Sequence, residues 1–259
     1  MAADVRLRTM AVTSAQRRQV RELHQAKGRR KYSAFLAEGL VNVREALASP
    51  TEVRAVYGTA EALVTLAPEL GAAAATEVGE AELARLSSQR SPHGAIAVVA
   101  FPDHPPEAIA AAARTLHLDG VSDPGNVGTL VRAAEWFGCG AVTAGPGSAH
   151  WYNPKVVAAA RGSLFRLPHR SLDEGEAARL FAGSKLIIAD LEGTEAAVFD
   201  WPSSGILCIG SESHGPSASI TALSPKRVTL RAAAGSAAES LNAAVAGGIL
   251  LDHWARAAA

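Results

Sequence analysis

Leu207-Cys208-Ile209-Gly210-Ser211-Glu212-Ser213-His214-Gly215 is an apolar strand that runs into a polar turn bounded by glycines. A second strand pattern, Arg227-Val228-Thr229-Leu230, follows after a short linker. A loop of small residues then leads to Glu239-Ser240-Leu241-Asn242, which reads as the opening of a long apolar helix through Trp254. Strands buried in a parallel sheet read as short apolar runs, and their polar loops gather at the carboxyl ends of the strands. This last quarter therefore predicts two strand ends that present neighbouring loops. A third stretch has the same strand–loop–helix character: Ser122-Asp123-Pro124-Gly125-Asn126-Val127-Gly128-Thr129-Leu130-Val131-Arg132. It is expected at the same place.

The rest of the chain alternates in the same way. Val20 and Leu23 mark a helix from Ser14, followed by a basic turn, Lys27-Gly28-Arg29-Arg30-Lys31, and a strand at Phe35-Leu36. Apolar spacing predicts helices over residues 40–47, 60–70, 80–86, 129–137 and 154–161. Short apolar runs predict strands over 53–57, 76–78, 95–101, 115–118, 141–144 and 186–190. Alternation over this length implies an α/β protein with a mostly parallel sheet. Pro102-Asp103-His104-Pro105-Pro106 is the expected domain boundary, because tandem prolines cannot continue a ladder. The expected organisation is a first domain over 1–101 with a frayed, flexible tail at 1–12, a linker at 102–112 and a second domain over 113–259.

A chain of 259 residues has room for one large domain or two smaller ones with a real core. No apolar run reaches the roughly 18 to 20 residues of a membrane span. The start, Met1-Ala2-Ala3-Asp4-Val5-Arg6, has no apolar stretch of the secretory kind. A cytoplasmic protein without a membrane partner is expected. Cys139 and Cys208 stand far apart and read as buried free thiols of a reducing compartment. The histidines and acids show no ligand spacing, so no metal is expected.

The formal net charge is zero, which argues against a protein that simply coats nucleic acid. The charge is unevenly placed, however. Arg17, Arg18, Arg21, Lys27, Arg29, Arg30 and Lys31 crowd one segment with only Glu22 against them, and the acids gather later at Glu77, Glu80, Glu82, Asp173, Glu174 and Glu176. Two readings stay open for the basic segment: a selective contact with phosphates, or a solvated helix face.

No strand is followed by Gly-x-Gly-x-x-Gly, and there is no Gly-x-x-x-x-Gly-Lys-Ser/Thr, so an ordinary dinucleotide site or phosphate-binding loop is not indicated. Residues 210–215 do not form a nucleophile elbow, since neither Ser211 nor Ser213 is flanked by glycines two positions away on both sides. His214 is either a base or a plain loop residue. The loop 122–128 combines a proline and two glycines ahead of a helix start, whose free N–H groups suit a phosphate. Arg132, one turn into the predicted helix, would reach back toward that loop. A capped helix with a surface arginine is the other reading.

Asp123-Pro124-Gly125-Asn126-Val127-Gly128 with Arg132, then Ile209-Gly210-Ser211-Glu212 with Gly215, then Glu239-Ser240-Leu241-Asn242 appear in this order. Together they resemble the three motifs of the SpoU (TrmH-like) branch of the SPOUT methyltransferases, which methylate RNA ribose 2′-hydroxyls. Phe35-Leu36-Ala37-Glu38-Gly39, after a basic segment, resembles the substrate-binding domain ahead of many rRNA-directed members. The resemblance implies a C-terminal SPOUT domain with a deep trefoil knot, preceded by a small L30e-like α/β domain that binds RNA, with 23S rRNA as the expected substrate. It implies a homodimer and S-adenosylmethionine as cofactor, held near Leu207, Ile209, Gly210, Leu230 and Leu241. It makes Arg132 the catalytic group, with Asn126, Glu212, Ser240 and Asn242 positioning it and the ribose. It also places Arg17, Arg18, Arg21, Lys27, Arg29, Arg30 and Lys31 against RNA. Two departures stand out: residues 231–238 form a longer loop without the usual proline, and Ser213-His214 replaces a common Gly-Glu. The alternatives are a tRNA ribose methyltransferase of the same family and a non-catalytic RNA-binding relative.

Overall fold

The computed structural model describes residues 12–71, 73–89 and 94–257. The expected tail over 1–12 lies outside these residues except for Val12, which is 5% exposed and packs in a core. The chain divides into two compact units: one runs to Asp103 and includes Trp151–Arg166, and the other holds His104–His150 and Leu167 onward.

The first unit contains α1 (Ser14–Leu23), α2 (Ala26–Tyr32), β1 (Ala34–Glu38), α3 (Leu40–Ala48), β2 (Val53–Gly58), α4 (Ala60–Leu70), β3 (Ala75–Glu77), α5 (Glu80–Leu86) and β4 (Ala95–Ala100). Its sheet has the order β1-β4-β2-β3, antiparallel around β4 and parallel between β2 and β3. Thr13 starts α1 with a capping box to Gln16. Val20, Leu23, Leu36, Leu83, Ile96 and Val98 form much of the core.

The basic stretch expected as a turn is instead the helix α2. Gly28 makes this possible, because a Cβ there would lie 1.9 Å from the Glu22 carbonyl oxygen at the end of α1. Ser33, with φ 45°, stops the helix.

The second unit contains α6 (Pro106–Ala110), β5 (Arg114–Asp119), α7 (Pro124–Trp136) and β6 (Ala141–Ala144). The chain then supplies α8 (Pro154–Ala160) and a 3-10 turn (Ser163–Phe165) to the first unit, where Tyr152 stacks on Phe35 and Phe101 with ring centroids 4.5 Å apart. Residues 113–259 are therefore not one uninterrupted unit. The second unit resumes with β7 (His169–Ser171), α9 (Glu174–Phe181), β8 (Leu186–Glu195), β9 (Gly205–Gly210), α10 (Ala218–Thr221), β10 (Lys226–Thr229) and α11 (Ala243–Ala257).

The second sheet has the order β10-β8-β9-β5-β6-β7, and every pairing in it is parallel. From β5 the chain steps to β6 and β7 on one side, and later returns to place β9 on the other. Ligand crevices of open parallel sheets lie at such a reversal of strand order, outside the carboxyl ends of the strands. Here the reversal lies between β5 and β9, whose last residues Asp119 and Gly210 are paired.

Candidate active site

Three loops meet at that reversal. The first is shorter than its sequence suggests. Asp123 caps α7, its Oδ1 accepting the Asn126 N–H at 2.8 Å, and Pro124 takes the first helical position. Proline there loses no hydrogen bond and arrives with a helical φ, so Gly125, Asn126 and Gly128 lie inside the helix rather than in a loop. The second is a closed turn. Ser211 and Gly215 exchange both main-chain hydrogen bonds, at 3.1 and 2.8 Å, and put Glu212 at the tip. A Cβ at Gly210 would lie 2.3 Å from the Gly215 carbonyl carbon, so the turn closes only on glycine. The third is the approach to α11. The helix opens at Ala243, four residues later than the sequence suggested, because Asn242 is the cap: its Oδ1 accepts the N–H groups of Ala244 and Val245 at 3.0 and 3.3 Å.

The three loops converge on one carboxylate oxygen. Glu212 Oε1 accepts from Asn126 Nδ2 at 2.8 Å, from Asn242 Nδ2 at 2.9 Å and from the Ala243 N–H at 3.1 Å. Asn242 Nδ2 also donates to Asn126 Oδ1 at 3.0 Å, across 116 positions of sequence. An anionic group at the first turn of α11 also meets the positive end of the helix dipole. The cluster fixes the starts of two helices and the tip of a turn relative to one another.

Arg132 and Ser240 are not part of this cluster. Arg132 is exposed on α7, eight residues beyond Pro124 and about 12 Å along the axis at 1.5 Å per residue. It is more than two turns into the helix, not one. Six positions separate it from Asn126, which turns it to another face, over Gly128 and Thr129. Among the described residues it makes no ion pair or hydrogen bond, which leaves its guanidinium available to an outside anion. Ser240 is exposed in the segment before α11 and makes no hydrogen bond among the described residues.

Of the expected cofactor contacts, Leu207 is fully buried within β9, paired with Leu116 on one side and Ile187 on the other. Its side chain belongs to the core of the sheet. Ile209 is also buried, but it adjoins Gly210 at the strand end, while Leu230 is part-exposed and Leu241 is 48% exposed. Beneath these loops His117 is buried, bonded through Nδ1 to Thr143 Oγ1 at 2.9 Å. Burial pushes its pKa down to about 4, with Asp119 opposing the shift, so His117 is a neutral core residue. Burial also raises the Cys139 thiol to about 12 and Cys208 well above its usual value, the latter aided by Asp119. Both thiols are inert. Among the described residues no group of His, Cys, Asp or Glu side chains is arranged to hold a metal ion.

The basic segment divides as well. Arg29 is 5% exposed, and its Nη1 donates to the carbonyls of Leu23 and His24 at 3.2 and 2.9 Å. It holds the α1–α2 corner and is withdrawn from any RNA. Arg17 pairs with Glu82 at 2.5 Å and Lys31 with Glu22 at 2.7 Å. Arg18 lies 3.8 Å from Glu22. Arg21, Lys27 and Arg30 are exposed and have no acidic partner among the described residues.

Comparison with known proteins shows the family of the chain. Residues 113–252 match the SpoU rRNA Methylase family and residues 15–97 the MRM3-like substrate binding domain. The 23S rRNA (guanosine(2553)-2′-O)-methyltransferase RlmP of Bacillus subtilis is 32% identical over 248 residues, covering 93% of this chain and 98% of that protein. A putative RNA methyltransferase of the TrmH family from Porphyromonas gingivalis superimposes with a TM-score of 0.83 at 34% identity, covering 95% of this chain and 99% of that one. The SpoU methyltransferase AviRb from Streptomyces viridochromogenes, solved with its cofactor AdoMet, superimposes with a TM-score of 0.81 at 27% identity, covering 94% and 98%. The chain belongs to the SpoU rRNA methylase family.

Proposed function

We propose that this protein transfers a methyl group from S-adenosylmethionine to a ribose 2′-hydroxyl of 23S rRNA. The observation that carries the reading is the convergence of Asn126, Glu212 and Asn242 on shared hydrogen bonds at the strand-order reversal. These are the residues by which the sequence resembles ribose methyltransferases, and distant parts of the chain meet through them.

The strand ends suit the cofactor. Ile209 and Gly210 end a strand at a turn that leaves no room for a Cβ at Gly210, and the partly exposed Leu230 and Leu241 offer apolar surface to a purine. Ile209, Gly210, Leu230 and Leu241 would hold S-adenosylmethionine, and Leu207 is removed from that set. When bound, the cofactor supplies an electrophilic methyl group.

The task left to the chain is to orient a hydroxyl and ease the loss of its proton. A guanidinium group is a poor base. The role of Arg132 is to hold the phosphate beside the target ribose and to stabilise negative charge as it develops on the 2′-oxygen. The Glu212 cluster keeps the first turn of α7 fixed, and with it the helix that carries Arg132. Ser240 is assigned to the ribose side of the site.

RNA is gripped in this reading by the first unit, with Arg21, Lys27 and Arg30 as its free cations and Arg17, Arg18 and Lys31 as ion-paired neighbours. Trp136 at 83%, Val245 at 50% and Ile249 at 39% are exposed on α7 and α11. Large apolar side chains left exposed on these two helices support a homodimer. The family resemblance further supports a trefoil knot at the C-terminus. Among the described residues no helix is long and apolar enough to cross a membrane. A cytoplasmic site of action follows from the proposed rRNA substrate.

The test is incubation with labelled S-adenosylmethionine and unmodified 23S rRNA, with tRNA in parallel. Label in rRNA alone is expected. Label in tRNA alone would overturn the substrate assignment, and no label in either with the cofactor bound would overturn the activity.

A further inference from the structure

The last residue of β5 is a buried carboxylate. Asp119 is 6% exposed, and its Oδ2 accepts the Ser217 N–H at 2.6 Å, joining positions 98 apart. Ser217 is the residue that leaves the Glu212 turn and caps α10, its Oγ accepting the Ile220 N–H at 3.5 Å. The surroundings are shaped to keep the carboxylate in place. Across from it, a Cβ at Gly145 would lie 3.2 Å from Asp119 Oδ1, so glycine leaves it room. Ser148 Oγ accepts the N–H groups of Gly120 and Val121 at 3.1 and 3.2 Å and donates to the Leu118 carbonyl at 2.9 Å. The strand end that bears Asp119 is therefore rigid. Gly120 runs at φ +74°, and its Cβ position would stand 3.5 Å from Ser211 Cβ, so this strand end also backs directly onto the turn.

The turn at 211–215 is closed on itself but exposed. Its incoming end is anchored by β9. Its outgoing end is anchored to the sheet by the Asp119–Ser217 hydrogen bond. A hydrogen bond to an ionised carboxylate is shorter and about twice as strong as a neutral one, and a 2.6 Å contact in a buried place is of that kind. The sequence signal is a charged residue ending an apolar strand.

We propose that Asp119 is a positioning residue for the cofactor edge: by holding Ser217 it fixes the turn between Gly210 and Gly215, and so the main chain at Ile209–Gly210 and the place of Glu212. This rests on the reading of Ile209 and Gly210 as cofactor contacts. Asp119→Ala removes the acceptor, whereas Asp119→Asn keeps an oxygen able to accept the same N–H.

The experiment titrates S-adenosylmethionine into the wild-type chain and both variants by calorimetry, with thermal melting and the RNA KM measured alongside. Asp119→Ala should weaken cofactor binding by roughly tenfold or more. Asp119→Asn should stay within about threefold of wild type, as a neutral hydrogen bond replaces a charged one. The RNA KM should not move. Wild-type affinity in a folded Asp119→Ala protein would overturn the proposal, as would an Asn variant no better than the Ala variant. Should Asp119→Ala not fold, amide exchange in the wild-type protein decides: Ser217 should exchange much more slowly than Ser213 and His214, and equal rates would overturn the proposal. A wild-type chain that binds no cofactor would overturn the cofactor-site reading itself, a result distinct from all of these.

Discussion

Glu212→Ala tests the cluster on which the site depends. The substitution removes the oxygen that accepts from Asn126 at 2.8 Å, Asn242 at 2.9 Å and the Ala243 N–H at 3.1 Å. A net hydrogen bond contributes about 1 kcal/mol, and more when one partner is charged. Glu212 is exposed, so water replaces part of what is lost. A total of about 2 kcal/mol is the reasonable figure, corresponding to roughly a 30-fold fall in kcat/KM if the cluster's order is needed only in the transition state. The same loss would lower Tm by roughly 4 to 8 °C if it fell on folding instead. Single-turnover methyl transfer with saturating cofactor, paired with a melting curve, separates the two. The account predicts the kinetic loss with a smaller change in Tm, and a partial recovery in Glu212→Gln, which retains an acceptor oxygen. A Glu212→Ala enzyme within threefold of wild type in kcat/KM would refute the reasoning, because the three loops would then be holding their places without it.

Other substitutions probe other links. Arg132→Ala should lower kcat by about a hundredfold or more while leaving the cofactor Kd unchanged, the pattern of a lost transition-state contact, as read in rapid-quench assays. Replacing Arg21, Lys27 and Arg30 together by alanine should weaken RNA binding and reduce its log–log salt slope by about 2 to 3, whereas Arg29→Ala should lower Tm, since its guanidinium serves the Leu23 and His24 carbonyls. Gly210→Ala should abolish cofactor binding in calorimetry, because its Cβ would stand 2.3 Å from the Gly215 carbonyl carbon. His117 and His169 are both pushed down to about 4 by burial. A depressed histidine stabilises the fold above its unfolded pKa near 6.5 and loses that stability as pH falls toward 4, at up to about 1.4 kcal/mol per pH unit for each. Urea unfolding at pH 7 and pH 5 should therefore differ, and equal midpoints would contradict the burial of both rings.

Much of the architecture was legible because it follows local rules. The strands at 53–57, 95–101, 115–118 and 141–144 carry apolar runs between turn residues, and the structure shows strands at each. The errors are equally specific. Gly125 and Gly128 suggested a loop, but Asp123 as cap and Pro124 in the first helical position override glycine's low helix propensity. Gly28 among basic residues suggested a turn, but it is the only side chain small enough for the approach of α2 to Glu22. Short β7 and α9 gave no usable period, although Asp173 and Glu176 form a capping box that reads in sequence only as an acidic cluster. Arg29 looked like surface charge because sequence does not show which member of a charged run meets two free carbonyls.

The site was legible in a different way. Nothing local tells Asn126 that it will meet Asn242; the resemblance of ordered motifs put both in one site, and the hydrogen bond between them is seen only in the structure. The geometry then separated those motif residues. Asn126, Glu212 and Asn242 form one connected cluster, Arg132 and Ser240 stand free of it, and Leu207 belongs to the sheet. Asp119 was passed over because a charged residue ending an apolar strand is its one sequence signal, and its partner, a main-chain N–H, adds none.

The most direct measurement is the chemical position of the transferred methyl group. Labelled 23S rRNA, hydrolysed with alkali, should release the label in a single alkali-resistant dinucleotide, since a 2′-O-methyl ribose blocks cleavage of the phosphate beside it. Label in an ordinary mononucleotide would place the methyl on a base and contradict the account of a ribose hydroxyl held by Arg132 beside the Glu212 cluster.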